Sequence, residues 1–222
     1  MAEVVPFTFG GYRSFRSTPH HIPVIGKINL IAGANNSGKS NVLRFVETNY
    51  GNFLKAIRSQ RVDWGWSSLD RFQGEGDGAV WFGVGLEIGG PEHEALRSHD
   101  GLIRKLRTTG PDLVDRLLSA LSDNGNHAWF LYRASTPGAV FEPVLPEDVE
   151  SALGRGDWSR LWNALTGRQQ GDLNQHWIPQ TLDTLCPKPD IPPVVMVDAI
   201  RKVGDSGSES EGHSGLGIID RL

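Results

Sequence analysis

The chain has 222 residues, of which 38% are hydrophobic, and carries a formal net charge of −4 at pH 7. This length suits one domain, with room for a subdomain. The negative charge excludes a globally basic nucleic-acid-binding surface, although it leaves a local basic patch open. The single cysteine, Cys186, excludes an internal disulfide framework and fits a reducing compartment.

Apolar patterning predicts the elements of the first third of the chain. Short apolar runs predict three strands, at 4–9, 22–25 and 28–32. A helix is predicted over 40–50, with Leu43, Val46 and Tyr50 on one face and Gly51 as its end. Further helical turns are predicted over 52–60, followed by a loop over 61–78.

The middle of the chain shows clearer patterns. Strict alternation over 80–88 predicts a strand, and Pro111 suits the first turn of a leucine-rich helix. Two further strands are predicted at 128–134 and 140–144, joined by a turn that contains Thr136, Pro137 and Gly138.

The last third begins with another helix. Asp157 is predicted to cap it, Gly167 to follow it, and Trp158, Leu161, Trp162 and Leu165 to form an apolar core stripe. After a proline-rich segment, a buried strand is predicted at 194–197.

The predicted organisation is one folded domain followed by a mobile segment. We expect a domain over 1–203, a mobile loop rich in Gly, Ser and Glu over 204–215, and the start of a further segment over 216–222. Neither a signal peptide nor a long apolar stretch occurs, so we expect a cytoplasmic protein with no membrane partner. Cys186 is predicted to be a small buried residue.

One motif points to function. Residues 33–40 read G-x-x-x-x-G-K-S between a predicted strand and a predicted helix, which is the context that a phosphate-binding loop requires. Gly33 and Gly38 let backbone N–H groups converge on phosphate oxygens. Lys39 supplies a positive charge for the β- and γ-phosphates, and the Ser40 hydroxyl is a ligand for Mg²⁺.

A phosphate loop alone does not distinguish an ATPase from a GTPase or a kinase. A GTPase is disfavoured because no aspartate is followed by glycine three residues later, and Pro187 replaces the Asn or Thr of a guanine-binding motif. A small-molecule kinase, with Arg104, Lys105 and Arg107 in a lid, remains an alternative. A solvated helix face explains these three cations more simply.

The segment 9–15 (FGGYRSF), followed by 28–41 (INLIAGANNSGKSN), resembles the N-terminal signature of ABC-type ATPases of the SMC, Rad50 and RecF group. The double asparagine is most similar to the OLD (overcoming lysogenization defect) family and its anti-phage relatives. Residues 5–45 carry most of this resemblance. A weaker likeness lies at 197–201 (VDAIR).

The resemblance implies an α/β P-loop NTPase fold, the N-terminal half of an ABC-type head, with an antiparallel β subdomain. It also implies ATP and Mg²⁺ as cofactors and hydrolysis of ATP. The implied partners are a second ATPase head in a homodimer or higher oligomer, a nuclease effector domain or subunit, and DNA. The implied role is to gate DNA processing in repair or phage defence.

The resemblance also assigns roles to individual residues. Lys39 is the catalytic residue. Residues predicted to bind the nucleotide are Gly33, Asn35, Asn36, Ser37, Gly38, Lys39, Ser40, Asn41 and Arg13. Arg13 matches an arginine that lies near the nucleotide in this group, although a surface position is an equally good interpretation. The backbone N–H of Asn41 is predicted to meet the α-phosphate.

The chain departs from the family pattern in its catalytic motifs. No Asp-Glu dipeptide and no Leu-Ser-Gly-Gly signature occur, and Ala199 follows Asp198 where a catalytic Glu belongs. Asp198 is therefore a weak candidate for the Walker B aspartate, and a structural role is favoured. We expect an N-terminal portion of a longer ATPase that binds ATP and hydrolyses it poorly alone. A non-hydrolysing assembly module is the alternative.

Overall fold

A five-stranded antiparallel sheet forms the centre of the fold in the computed structural model. The structure describes residues 4–23, 29–34, 37–59, 68–74, 78–122, 126–135, 142–145 and 149–191. The strands are β1 (Phe7–Gly10), β2 (His20–Ile22), β3 (Val80–Glu87), β4 (His127–Ala134) and β5 (Glu142–Val144). Their order in the sheet is β2-β1-β3-β4-β5.

The longest pairing in this sheet joins β3 to β4. It extends from the pair Val80 and Ala134 to the pair Glu87 and His127. The alternation that predicts β3 is reproduced, because Val80, Phe82, Val84 and Leu86 share one buried face. The mixed α/β class and the antiparallel sheet therefore agree with the sequence. The P-loop NTPase fold stays a prediction.

Helices account for most of the remaining described chain. A continuous helical run comprises α1 (Lys39–Phe45), one π-helical turn (Val46–Tyr50) and α2 (Gly51–Ser59). The later helices are α3 (Pro91–Arg97), α4 (Asp100–Leu106), α5 (Thr109–Ala120), α6 (Val149–Ala152), α7 (Arg155–Thr166) and α8 (Ile178–Leu185). A short 3₁₀ turn covers Ser68–Asp70, and a π turn over Leu173–Trp177 leads into α8. Within this part of the chain, no helix combines the length and apolar character needed to cross a membrane.

An aromatic cluster fastens the first helical run to the sheet. The Phe45 ring lies 4.3 Å from that of Phe9 and 5.4 Å from those of Tyr12 and Phe53, measured between centroids. All four side chains are fully buried. Because Phe45 ends α1, this packing fixes the helix that directly follows residues 33–38.

A second part of the core lies among the later helices. Trp158, Leu161 and Trp162 of α7 are fully buried, which confirms the predicted core stripe. Gly167 ends α7 in the left-handed conformation, as predicted. The predicted cap is wrong, because Gly154 precedes α7 and Asp157 lies in its first turn.

The cysteine has the predicted role of a buried small side chain. Cys186 is 4% exposed, and burial raises the pKa of its thiol to about 12. The thiol is therefore protonated at neutral pH.

Two predictions about the first helical region are wrong. Gly51 has a right-handed φ of −62° and continues the helix instead of ending it. A Cβ on Gly51 would lie 3.0 Å from Cγ2 of Ile191, so the glycine provides space for the passing chain. Leu43 is 50% exposed, so its predicted place on the buried face is wrong, and Val42 and Phe45 form the buried face of α1. The other two predicted residues agree, because Tyr50 is fully buried and Val46 packs partly buried against the core.

The predicted strand at 28–32 is also not formed over its described residues. Residues 29–32 have no strand structure, and Leu30 is 91% exposed. Both sides of β1 are occupied, by β2 and β3, and the described chain offers no parallel strand with which 29–32 could pair. The predicted strand at 194–197 and the segments 204–215 and 216–222 lie outside the described residues.

Candidate phosphate-binding loop

The phosphate-loop motif lies directly before the first helical run. Gly33, Ala34 and Ser37 lie on the protein surface, and the helix begins at Lys39. The N–H groups of Asn41 and Val42 already donate to the Gly38 carbonyl, so an anion would be met by the N–H groups before them, which have no acceptor within the helix. The motif is therefore accessible and is followed by the predicted helix, whereas the strand predicted before it is not formed over residues 29–32.

Lys39 folds back over the loop. Its Nζ donates hydrogen bonds to the carbonyl oxygens of Gly33 at 2.7 Å and Ala34 at 2.5 Å. A longer contact of 3.4 Å reaches Oγ of Ser37. The ammonium group is therefore held beside the backbone of the loop and not extended into solvent.

Gly38 is the residue whose conformation the loop most depends on. It has a φ of +89°, in the left-handed region that favours glycine. A Cβ added there would lie 3.0 Å from Oγ of Ser14 and 3.1 Å from Cζ of Phe15. Both the backbone conformation and the close approach of these two side chains therefore favour glycine at this position.

Replacing Gly38 with alanine is expected to destabilise the fold by about 1–3 kcal/mol, since backbone strain and crowding add together. Gly167→Ala is a matched control, because Gly167 has a φ of +76° and nothing within 4 Å of an added Cβ. Urea unfolding of both variants separates the two contributions. Equal losses in the two variants would show that the contact with Ser14 and Phe15 has no energetic role.

The next two residues of the motif differ in their surroundings. Ser40 is exposed, as a residue that binds Mg²⁺ from solvent requires. Asn41 donates from Nδ2 to Oγ of Ser14 at 2.9 Å, and its backbone N–H donates to the Gly38 carbonyl at 2.9 Å. The predicted contact of this N–H with an α-phosphate stays a prediction.

Arg13 is engaged by an acidic side chain. Its Nε and Nη2 donate to Oδ1 of Asp70 at 2.9 and 2.5 Å, and its backbone N–H donates to the Asp70 carbonyl at 3.0 Å. Its neighbours Ser14 and Phe15 contact the loop instead. The segment that resembles the family signature therefore does lie against the loop, with Arg13 turned toward Asp70.

The remaining predicted nucleotide-binding residues, Asn35 and Asn36, lie outside the described residues. The weak Walker B candidate, Asp198, also lies outside them.

The ring of His20 packs edge-on against that of Phe15, with 5.3 Å between the ring centroids. Burial lowers the pKa of His20 below its usual 6.5, with a further contribution from the positive charge of Arg16. Its Nε2 is buried without a hydrogen-bond partner. The folded protein therefore favours the neutral imidazole.

Stability is expected to fall as the pH decreases below about 6.5 toward the folded-state pKa of His20, because the unfolded chain takes up the proton more readily. His20→Phe should flatten this part of the profile. Urea midpoints measured between pH 5 and 8 test the effect. Parallel profiles for the two proteins would contradict it.

The residues of the loop fit a magnesium-bound triphosphate. Mg²⁺ is commonly held by one or two protein oxygens together with phosphate oxygens and water, and Ser40 offers such an oxygen. Elsewhere in the described residues, no group of three or more His, Cys, Asp or Glu side chains is arranged to hold a metal ion. The fit of the site therefore rests on Lys39, Ser40 and the loop backbone.

Comparison of the chain with protein-family models, with curated proteins and with solved structures found no match. Functional inference therefore depends on the chemistry and geometry of the loop itself.

Proposed function

We propose that this chain binds ATP with Mg²⁺ at residues 33–40 and acts as the ATPase domain of an OLD- or RecF-like protein. The position of Lys39 carries the proposal. Its ammonium lies within hydrogen-bond distance of two loop carbonyls, at the start of a helical run. Phosphate oxygens are stronger acceptors than carbonyls because they are charged, so a triphosphate would compete favourably for this group.

The loop has parts that suit phosphoryl transfer. Backbone N–H groups and the Lys39 ammonium would stabilise the negative charge that spreads over the transferred phosphoryl group. Ser40 would hold Mg²⁺, which neutralises further charge when bound. Gly38, in its left-handed conformation, supplies the turn that leads the loop into the helix.

The wider role follows from the resemblance of residues 5–45. ABC-type ATPases bind ATP between two heads, so the proposal includes a second head as partner. It also includes control of a nuclease or of DNA processing, in repair or phage defence.

A second function, a non-hydrolysing assembly module, is favoured by one observation. The 222 residues contain no Asp-Glu dipeptide, which in this group of ATPases provides the base for the attacking water. In such a module ATP would stabilise the assembled state by binding it preferentially.

Calorimetric titration of the chain with Mg-ATP tests the proposal. We expect saturable binding that weakens without Mg²⁺, together with ATP turnover well below about 1 s⁻¹. Absence of binding at millimolar Mg-ATP would refute nucleotide recognition. If binding occurs, size-exclusion chromatography with ATP and with a non-hydrolysable analogue separates the two functions, because a module would assemble equally with both.

A further inference from the structure

Residues 11–16, which we call the brace, form a closed turn in the connection from β1 to β2. The Gly11 N–H donates to the Arg16 carbonyl at 2.8 Å, and the Phe15 N–H donates to the Tyr12 carbonyl at 2.8 Å. Gly11 has a φ of +76°, and a Cβ there would lie 2.3 Å from the Ala79 carbonyl oxygen. The brace is therefore tightly seated against the chain that leads into β3.

One side of the brace contacts the phosphate loop. Ser14 Oγ accepts a hydrogen bond from Nδ2 of Asn41, and Phe15 packs edge-on against Phe9 at 4.7 Å. A Cβ at position 38 would lie 3.0 Å from Oγ of Ser14 and 3.1 Å from Cζ of Phe15, so a larger residue there would have to displace these side chains. The position of the brace therefore determines the space available to the left-handed Gly38.

The other side of the brace is bound to the segment around Asp70. Asp70 accepts from both the side chain and the backbone of Arg13, and the Phe72 N–H donates to the Gly11 carbonyl at 3.0 Å. Tyr12 and Arg71 form an antiparallel bridge. These contacts join segments 57 residues apart in the chain.

Arg13 has an unusual backbone conformation. Its φ of 50° lies in the left-handed region, which residues with a Cβ rarely adopt. This conformation costs free energy that other contacts must offset. The ion pair with Asp70, in which both side chains are 27% exposed, supplies such contacts. The guanidinium charge is thereby already partnered by the Asp70 carboxylate.

We propose that Arg13 is a positioning residue, which holds the brace against the phosphate loop through Asp70 and does not contact the nucleotide. This inference rests on the proposed function. It differs from the role that the family resemblance implies for Arg13, and it adds Asp70, which lies outside the resembling segment. Loss of either side chain removes the ion pair and leaves only the backbone contacts of the brace, which is expected to loosen the edge of the loop formed by Gly38 and Asn41.

The test is a double-mutant cycle of Arg13→Ala, Asp70→Ala and the double variant, with Mg-ATP affinity measured by calorimetry. Each single change should weaken binding by a similar factor, about 5- to 20-fold, and the double variant should be no weaker than the worse single one. ADP affinity should fall equally, because the loop edge holds no group specific to the γ-phosphate. Direct contact predicts the opposite pattern, in which Asp70→Ala leaves binding unchanged or strengthens it by freeing the guanidinium.

Arg116→Ala is the matched control. Arg116 forms an ion pair with Asp157 at 3.7 Å and donates to the Ala152 carbonyl, in a different part of the fold. Its loss should leave nucleotide affinity unchanged. An equal weakening in this control would attribute the effect to general destabilisation and would overturn the inference.

A second readout does not depend on nucleotide. In ¹⁵N–¹H spectra of the free protein, Arg13→Ala and Asp70→Ala should both shift the amide resonances of Gly38 and Asn41, and Arg116→Ala should not. Unmoved resonances overturn the inference even if ATP binds. If the unaltered chain binds no ATP, the proposed function and the nucleotide role of Arg13 both fail, while these resonances still decide whether the pair holds the loop.

Discussion

Replacing Lys39 with alanine is expected to weaken Mg-ATP binding by at least about 30-fold. The ammonium is the one side-chain cation of the motif, and charge-assisted hydrogen bonds contribute about 1.5–3 kcal/mol each. Loss of about 2 kcal/mol or more corresponds to this change in Kd. Calorimetric titration of the variant measures it directly.

Two controls sharpen this experiment. Lys55→Ala removes another exposed lysine, from α2 of the same helical run, and should leave the affinity unchanged. Urea unfolding should show that Lys39→Ala changes stability by about 1 kcal/mol or less, because its contacts lie at an exposed site. A Lys39→Ala protein that binds Mg-ATP as tightly as the unaltered chain would contradict the assignment of the loop.

Replacing Phe45 with alanine is expected to cost about 3–5 kcal/mol of folding stability. Phe45 is fully buried, and its ring packs against those of Phe9 and Phe53 at the junction between sheet and helix. Truncation removes buried apolar surface and leaves a cavity. The neighbouring rings of Phe9, Tyr12 and Phe53 are themselves fully buried, so we expect them not to move far enough to fill it. Equilibrium unfolding in urea measures the loss.

Leu43→Ala is the matched control for Phe45, since it truncates an apolar side chain in the same helix. Leu43 is 50% exposed, so its loss should cost no more than about 0.5 kcal/mol. Similar losses for the two variants would show that the aromatic cluster does not anchor α1 to the sheet.

The sequence predicts correctly those helices and strands whose own residues show a clear hydrophobic period. The alternation of β3 and the leucine spacing of α5 both reflect a single buried face, and the structure reproduces them. The short helix α3 is not predicted, because seven residues give too few turns for a clear period, and α4 enters only as the solvated helix face suggested for Arg104 and Lys105. Pro91, at the start of α3, was the one signal available there.

The error at 28–32 has a different origin. An apolar run shows that a strand can form, but a strand is stable only when a neighbouring strand pairs with it in register. The sequence of a short segment does not show whether such a partner strand exists. The described residues place antiparallel strands on both sides of β1 and assign no strand to 29–32. Leu30 is consequently exposed, although its hydrophobicity favours a buried strand residue in a prediction from sequence.

The sequence predicts the residues of the loop that would bind phosphate better than it predicts the residues that hold the loop in place. Gly38 and Lys39 follow from the motif, because backbone conformation and charge are local properties. Ser14 and Phe15 lie within the segment that resembles the family signature, although their contacts with Gly38 were not foreseen. Asp70 gave no signal, because an ion pair that spans 57 residues depends on the topology that joins its partners.

Amide resonances of ¹⁵N-labelled protein, followed during titration with Mg-ATP, test the central claim most directly. The account predicts saturable shifts at Gly33, Ala34 and Ser37–Asn41, absent in Lys39→Ala, with smaller changes in the later helices. Saturating nucleotide that leaves these resonances unmoved, or that shifts a different cluster of residues, would contradict the assignment of a triphosphate site to this loop.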